Sequence, residues 1–146
     1  MREILFRGKE VDKGEWVEGW YEKTCYGHWP LAHSIIPARD AEEGYLHHEK
    51  VDPETVGQYT GMNDRNGQKI FEGDYIRAFL PASKAQREFT WPVMPVVYSR
   101  GAFGLADNHG EVTPLRSFAL YVTFEVVGNI HDGMKEGSPV ESKRIP

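Results

Sequence analysis

Residues 74–80 read Asp-Tyr-Ile-Arg-Ala-Phe-Leu, so Tyr75, Arg77 and Phe79 alternate with Ile76, Ala78 and Leu80. A period of two sends successive side chains to opposite faces and predicts a strand. The same reading applies to "EILFR" (3–7), to "PLAHSIIP" (30–37) between its two prolines, and to "VMPVVYS" and "AFGLA" on either side of Arg100-Gly101. "YVTFEVVGNI" (121–130) is β-branched and nearly continuous in apolar character, as a buried strand is. "GKEVDKGEWVEGWY" predicts a hairpin turning at Lys13-Gly14, with Trp16, Glu18 and Trp20 on one face of its second strand. Strands recur about every 8–12 residues with turn residues between them, which is the pattern of an all-β barrel or sandwich. Asp52-Pro53-Glu54 marks a turn or a one-turn helix start. Residues 81–92 read as a connecting excursion with room for a helical turn or two. The segment 132–146 is polar, carries Gly and Pro, and reads as a flexible tail.

The most patterned stretch is "QYTGMNDRNGQKIFEGDYI" (58–76). Asn66-Gly67 predicts a type I′ hairpin turn, or a slightly longer loop held by the Asp64 and Asn63 side chains. Gly73-Asp74 predicts a second tight turn before the long strand. Asp64, Asn66, Gly67, Gly73 and Asp74 thus form a structural turn signature. A calcium loop starting at Asp64 needs Gly at its sixth position and Glu at its twelfth, where this chain has Lys69 and Tyr75. A phosphate loop needs Gly-Lys-Ser/Thr and a helix start, and neither follows.

Composition narrows the class. The chain has 146 residues, one domain's worth. Its 4 Trp, 7 Tyr and 7 Phe favour strands. The net charge is -5, and no segment carries the basic surplus of a general nucleic-acid surface. Cys25 is the only cysteine, so no disulfide can form within the chain. The N-terminus lacks the apolar core of a signal peptide, and no apolar run approaches the roughly 20 residues of a membrane span. These features predict a soluble protein of the cytoplasm.

Candidate chemistry is sparse. Cys25, His28 and His33 are the one metal-like run; it has no fourth partner nearby and is interrupted by Trp29-Pro30. Asp107 and His109 sit at what reads as a turn tip, with no marked nucleophile beside them. The acidic pairs Glu42-Glu43 and Glu10/Asp12 read as solvated surface. No catalytic group, metal or cofactor is expected. Aromatic residues interleave with arginines at Tyr75, Arg77, Arg87, Phe89 and Trp91, the pattern of a surface that stacks single-stranded nucleic acid. Aromatic core packing with outward-reaching Arg explains the same residues. The Trp16/Trp20 face is a candidate interface.

"REILFRG", "QYTGMNDRNGQKIFEGDYI", "VVYSRGAFGL" and "FEVVGNIHDG" occur in that order and span most of the chain. In this it resembles the YopX family of phage and prophage proteins. The resemblance implies a mostly β fold, with an SH3-like barrel over residues 58–131 (an insertion near 81–92) and a β-rich N-terminal part over 1–57. It also implies a phage or prophage setting inside a host cell, and it brings no catalytic residues. The expected function is non-enzymatic: binding of a host or phage protein, with self-association as a homo-oligomer. Single-stranded nucleic-acid binding stands second, and a metal-dependent hydrolase third.

Overall fold

The computed structural model describes residues 2–25, 31–44, 47–84, 86–118 and 120–135. The protein is all-β, and its strands fall into two antiparallel sheets. The chain divides at Gly61/Met62 into two compact units.

The first unit holds β1 (Phe6–Lys9), β2 (Trp16–Thr24), β3 (Ala32–Pro37), the short helix α1 (Ala38–Glu42), β4 (Glu49–Lys50) and most of β5 (Gly57–Asn63). Their order is β4-β3-β2-β1-β5. The β1–β2 hairpin forms, but its turn runs from Glu10 to Glu15. The Glu10 carboxylate accepts the Asp12 and Lys13 N–H groups at 2.7 and 2.8 Å. Glu10 is therefore buried in backbone capping, not left in solvent as the acidic-pair reading had it. Gly19 is required where β2 meets β3, because a Cβ there would lie 1.9 Å from the Ile36 carbonyl oxygen. Among the described residues, Leu5, Ile35, Val51 and Tyr59 are this unit's buried hydrophobic residues.

At Met62 the strand β5 enters the second unit, where it turns back into β6 (Lys69–Phe71). β7 (Asp74–Leu80), β8 (Phe89–Thr90), β9 (Met94–Ser99), β10 (Ala102–Ala106), β11 (Val112–Pro114), β12 (Thr123–Asn129) and β13 (Gly133–Met134) follow. The order is β11-β10-β9-β7-β12-β13, with β8 also against β7. β7 is the centre of this sheet. Ile76 and Ala78 point from it into a core shared with Ile70, Met94, Val96, Leu105, Leu115, Val122, Phe124 and Val126. The alternation in the sequence located that face.

The expected SH3-like barrel does not close. β13 has two residues, and β11 stops after three at Pro114, which has no N–H to offer a further partner. Closure needs edge strands long enough to pair. Residues 81–92 form no helix among the described residues. They make a Ser83–Gln86 turn and then the two-residue strand β8. Within the expected tail Gly133–Met134 form β13, and residues 136–146 lie outside the described residues.

Candidate functional site

The patterned stretch 58–76 is built around two buried carboxylates. Asp64 Oδ1 accepts the N–H groups of Asn66 and Gln68 at 2.8 and 2.9 Å, and its Oδ2 accepts that of Val126, on β12, at 3.0 Å. Asp74 Oδ2 accepts the Phe71 N–H at 2.8 Å. The loop is closed by Gly67 N–H donating to the Asp64 carbonyl at 3.0 Å. Gly67 has φ +81 while Asn66 keeps a negative φ, so the turn is type I followed by a left-handed Gly, not type I′. The I′ geometry appears instead at Arg100-Gly101, both with positive φ, between Ser99 and Ala102. The Asp64 side chain explains the difference: by binding two N–H groups of the loop it fixes a longer turn.

The second aspartate loop repeats this geometry. Asp107 Oδ1 accepts His109 N–H and Glu111 N–H, both at 2.9 Å, and Gly110 N–H donates to the Asp107 carbonyl at 3.0 Å. "DRNGQ" and "DNHGE" are thus two copies of one turn. His109 contributes its backbone there.

The five aromatic and arginine positions are separated by the pleat. Tyr75 and Arg77 lie on the face of β7 opposite the core. Arg77 is 6% exposed, with its Nη1 3.4 Å from Glu125 Oε1. Phe79 on the same face lies under the Arg65 guanidinium at 4.9 Å. Phe89 and Trp91 lie on the other face. There Phe89, Trp91, Phe118 and the core residue Phe124 form a ladder of near-perpendicular rings with centroid spacings of 4.9, 5.6 and 5.5 Å. The outer end of the ladder is on the surface: Phe89 is 51% exposed. Leu120 and Tyr121, just ahead of β12, are 104% and 66% exposed. Thr123 of β12 pairs Phe79, and Phe89 of β8 pairs Leu80, so β12 begins and β8 lies on the two sides of the same end of β7. Lys84, Arg87 and Arg116 are exposed in the same unit. Tyr121, the first residue of the buried strand expected over 121–130, is instead an exposed turn residue ahead of β12, and Leu120 before it is exposed as well.

In the first unit, Trp16 is half-buried under the Arg7 guanidinium at 4.5 Å and the Lys9 ammonium at 5.5 Å. Trp20, two pleats along, is 45% exposed. On the opposite face the Tyr21 hydroxyl is hydrogen-bonded to His33 Nδ1, and burial raises the Tyr21 pKa above its ordinary value of 10.0. His33 is thus engaged with Tyr21, Cys25 is exposed, and His28 lies outside the described residues. Among the described residues no group of three or more His, Cys, Asp or Glu side chains is arranged to hold a metal. Among them, too, no helix is long and apolar enough to cross a membrane.

These features define an all-β scaffold of capped turns that displays one aromatic end. The chain belongs to the YopX family: the family model described as YopX protein matches residues 5–134. No curated protein matches. Among solved structures it is similar to protein EF1440 from Enterococcus faecalis, with 18% identity, a TM-score of 0.47, and coverage of 90% of this chain and 95% of that one.

Proposed function

We propose that this YopX family protein is a phage or prophage accessory protein that works in the host cytoplasm by binding protein, without catalysis. The observation that carries the reading is the aromatic end of the second unit. Phe89, Leu120 and Tyr121 are large apolar side chains exposed in this unit, and Lys84, Arg87 and Arg116 are exposed in the same unit. Aromatic residues with arginine are the composition of binding hot spots. These exposed cations fit an acidic protein surface as the partner. Nucleic acid fits less well, because Arg77 is buried beside Glu125 and Trp91 is packed edge-on to Phe118 instead of offering a free stacking face.

The test is a comparison of captured proteins. Tagged wild type and a Phe89→Ser/Tyr121→Ser variant are used as bait in cells carrying the phage. Wild type should retain a partner with an acidic surface, released by salt, and the variant should lose it. Equal capture by both baits rules the aromatic end out. A labelled single-stranded oligonucleotide, titrated at low salt, should give a flat curve; saturable binding weakened by Phe89→Ser would favour nucleic acid instead.

A further inference from the structure

Two turns of the second unit bring opposite charges to one cleft. Ser99 and Arg100, at the β9–β10 turn, and Gly110, Glu111 and Val112, where β11 begins, line an open cavity of about 560 Å³. That is the size of a small-molecule site. The backbone holds each wall in place. The Asp107 carboxylate accepts the Glu111 N–H at 2.9 Å, which fixes the entry to β11. Gly104 of β10 lets β11 lie close, because a Cβ there would stand 2.6 Å from Val112 Cγ1. Arg100 sits at φ 51, and among the described residues it is the only one other than glycine with a positive φ. Asn or Gly would fill that turn position with less strain. An arginine there costs the fold something that only its side chain can offset. Among the described residues neither the Arg100 guanidinium nor the Glu111 carboxylate has an ion-pair partner, and the two do not pair with each other.

We propose that this cleft binds a small zwitterionic molecule of dipeptide size. The ligand's carboxylate takes the Arg100 guanidinium, whose planar fork matches a carboxylate with two parallel hydrogen bonds. Its ammonium goes to the Glu111 carboxylate. An apolar group between the two charges packs on Val112, and the Ser99 hydroxyl serves the peptide group. Two fixed charges of opposite sign that do not reach each other favour a molecule that bridges them. A ligand with one charge leaves the other wall unanswered. Because turns set both walls, binding needs little ordering of the backbone. The site shares no residue with the aromatic end and stands independently of the function proposed for it.

The probe is glycyl-leucine, titrated into isotope-labelled full-length protein and followed by amide NMR. Saturable shifts should appear at Arg100, Gly101, Glu111 and Val112. N-acetyl-glycyl-leucine, which lacks the ammonium, and glycyl-leucinamide, which lacks the carboxylate, should each bind about tenfold more weakly or worse. Arg100→Asn and Glu111→Gln should each lower the glycyl-leucine affinity by about tenfold or more. Asn suits the turn better than Arg does, so Arg100→Asn should lose binding with an unfolding midpoint no lower than that of wild type. Glu111→Gln, on an exposed side chain, carries the test if that midpoint falls. Phe89→Ser/Tyr121→Ser should leave the affinity unchanged. Absence of shifts at millimolar glycyl-leucine overturns the proposal. Equal affinities for the blocked peptides, unchanged affinity in Glu111→Gln, or shifts centred on Phe89 and Tyr121 overturn it as well. None of these results touches the capture of a protein partner, which is read through Phe89 and Tyr121.

Discussion

Among single residues, Asp64 has the widest reach, because one buried carboxylate closes its own loop and ties that loop to β12. Asp64→Ala leaves three N–H groups, the buried one of Val126 among them, without their acceptor and should cost about 3 kcal/mol in denaturant unfolding. Asp107→Ala, which removes the equivalent exposed loop bonds, should cost about 1 kcal/mol. Equal losses in the two variants would show that the bond to Val126 adds nothing. Tyr21 gives a pH dependence. Its folded-state pKa lies above the unfolded value of 10.0, so the folded state favours the neutral phenol more than the unfolded state does. That stabilisation is complete below pH 10 and is lost as pH rises through the folded-state pKa. Denaturant midpoints of wild type should therefore fall more steeply above pH 10 than those of Tyr21→Phe, and parallel curves would remove Tyr21 as the cause. The sequence marked Asp64 as structural through its position beside Asn66-Gly67. It gave no sign of the Val126 bond, which joins residues 62 positions apart.

At the level of elements, turn chemistry competes with propensity. Asn-Gly is the preferred I′ dipeptide, yet here Arg100-Gly101 adopts that turn and places Arg100 at φ 51. A non-glycine residue other than Asn or Asp is strained in that region. Arg100→Asn should raise stability by about 0.5–1 kcal/mol, read as a higher unfolding midpoint with an unchanged slope. A lower midpoint would mean that the Arg100 side chain holds a contact worth more than the strain. Strands were the legible elements: β7 lies where its period-two pattern put it, and its Ile76/Ala78 face is the core. The candidate aromatic and arginine surface was less legible for the same reason. Tyr75, Arg77, Phe89 and Trp91 are neighbours in composition, but the pleat and the β7–β8 pairing set the first two and the last two on opposite faces.

For the whole molecule, the two units carry separate sets of buried apolar residues, Ile35 at 0% exposure in one and Ile76 at 0% in the other. Truncating either to Ala should cost about 2–5 kcal/mol. Hydrogen exchange should locate the losses: Ile35→Ala should speed exchange first in β1–β3, and Ile76→Ala first in β7, β9 and β12. Uniform acceleration along the chain in both variants would mean a single cooperative unit. The boundary at Gly61/Met62 was not readable from the sequence, because it falls inside β5, where no composition change marks it.

The aromatic ladder also gives the protein an internal optical reporter. Trp91 is the single tryptophan of residues 62–146, and it stands between a ring on the surface and rings in the core. Anything that covers Phe89 changes the polarity around that indole. With Trp16, Trp20 and Trp29 replaced by Phe, the remaining emission reports occupancy of the aromatic end without a label, so a binding curve can be read from the colour of one residue.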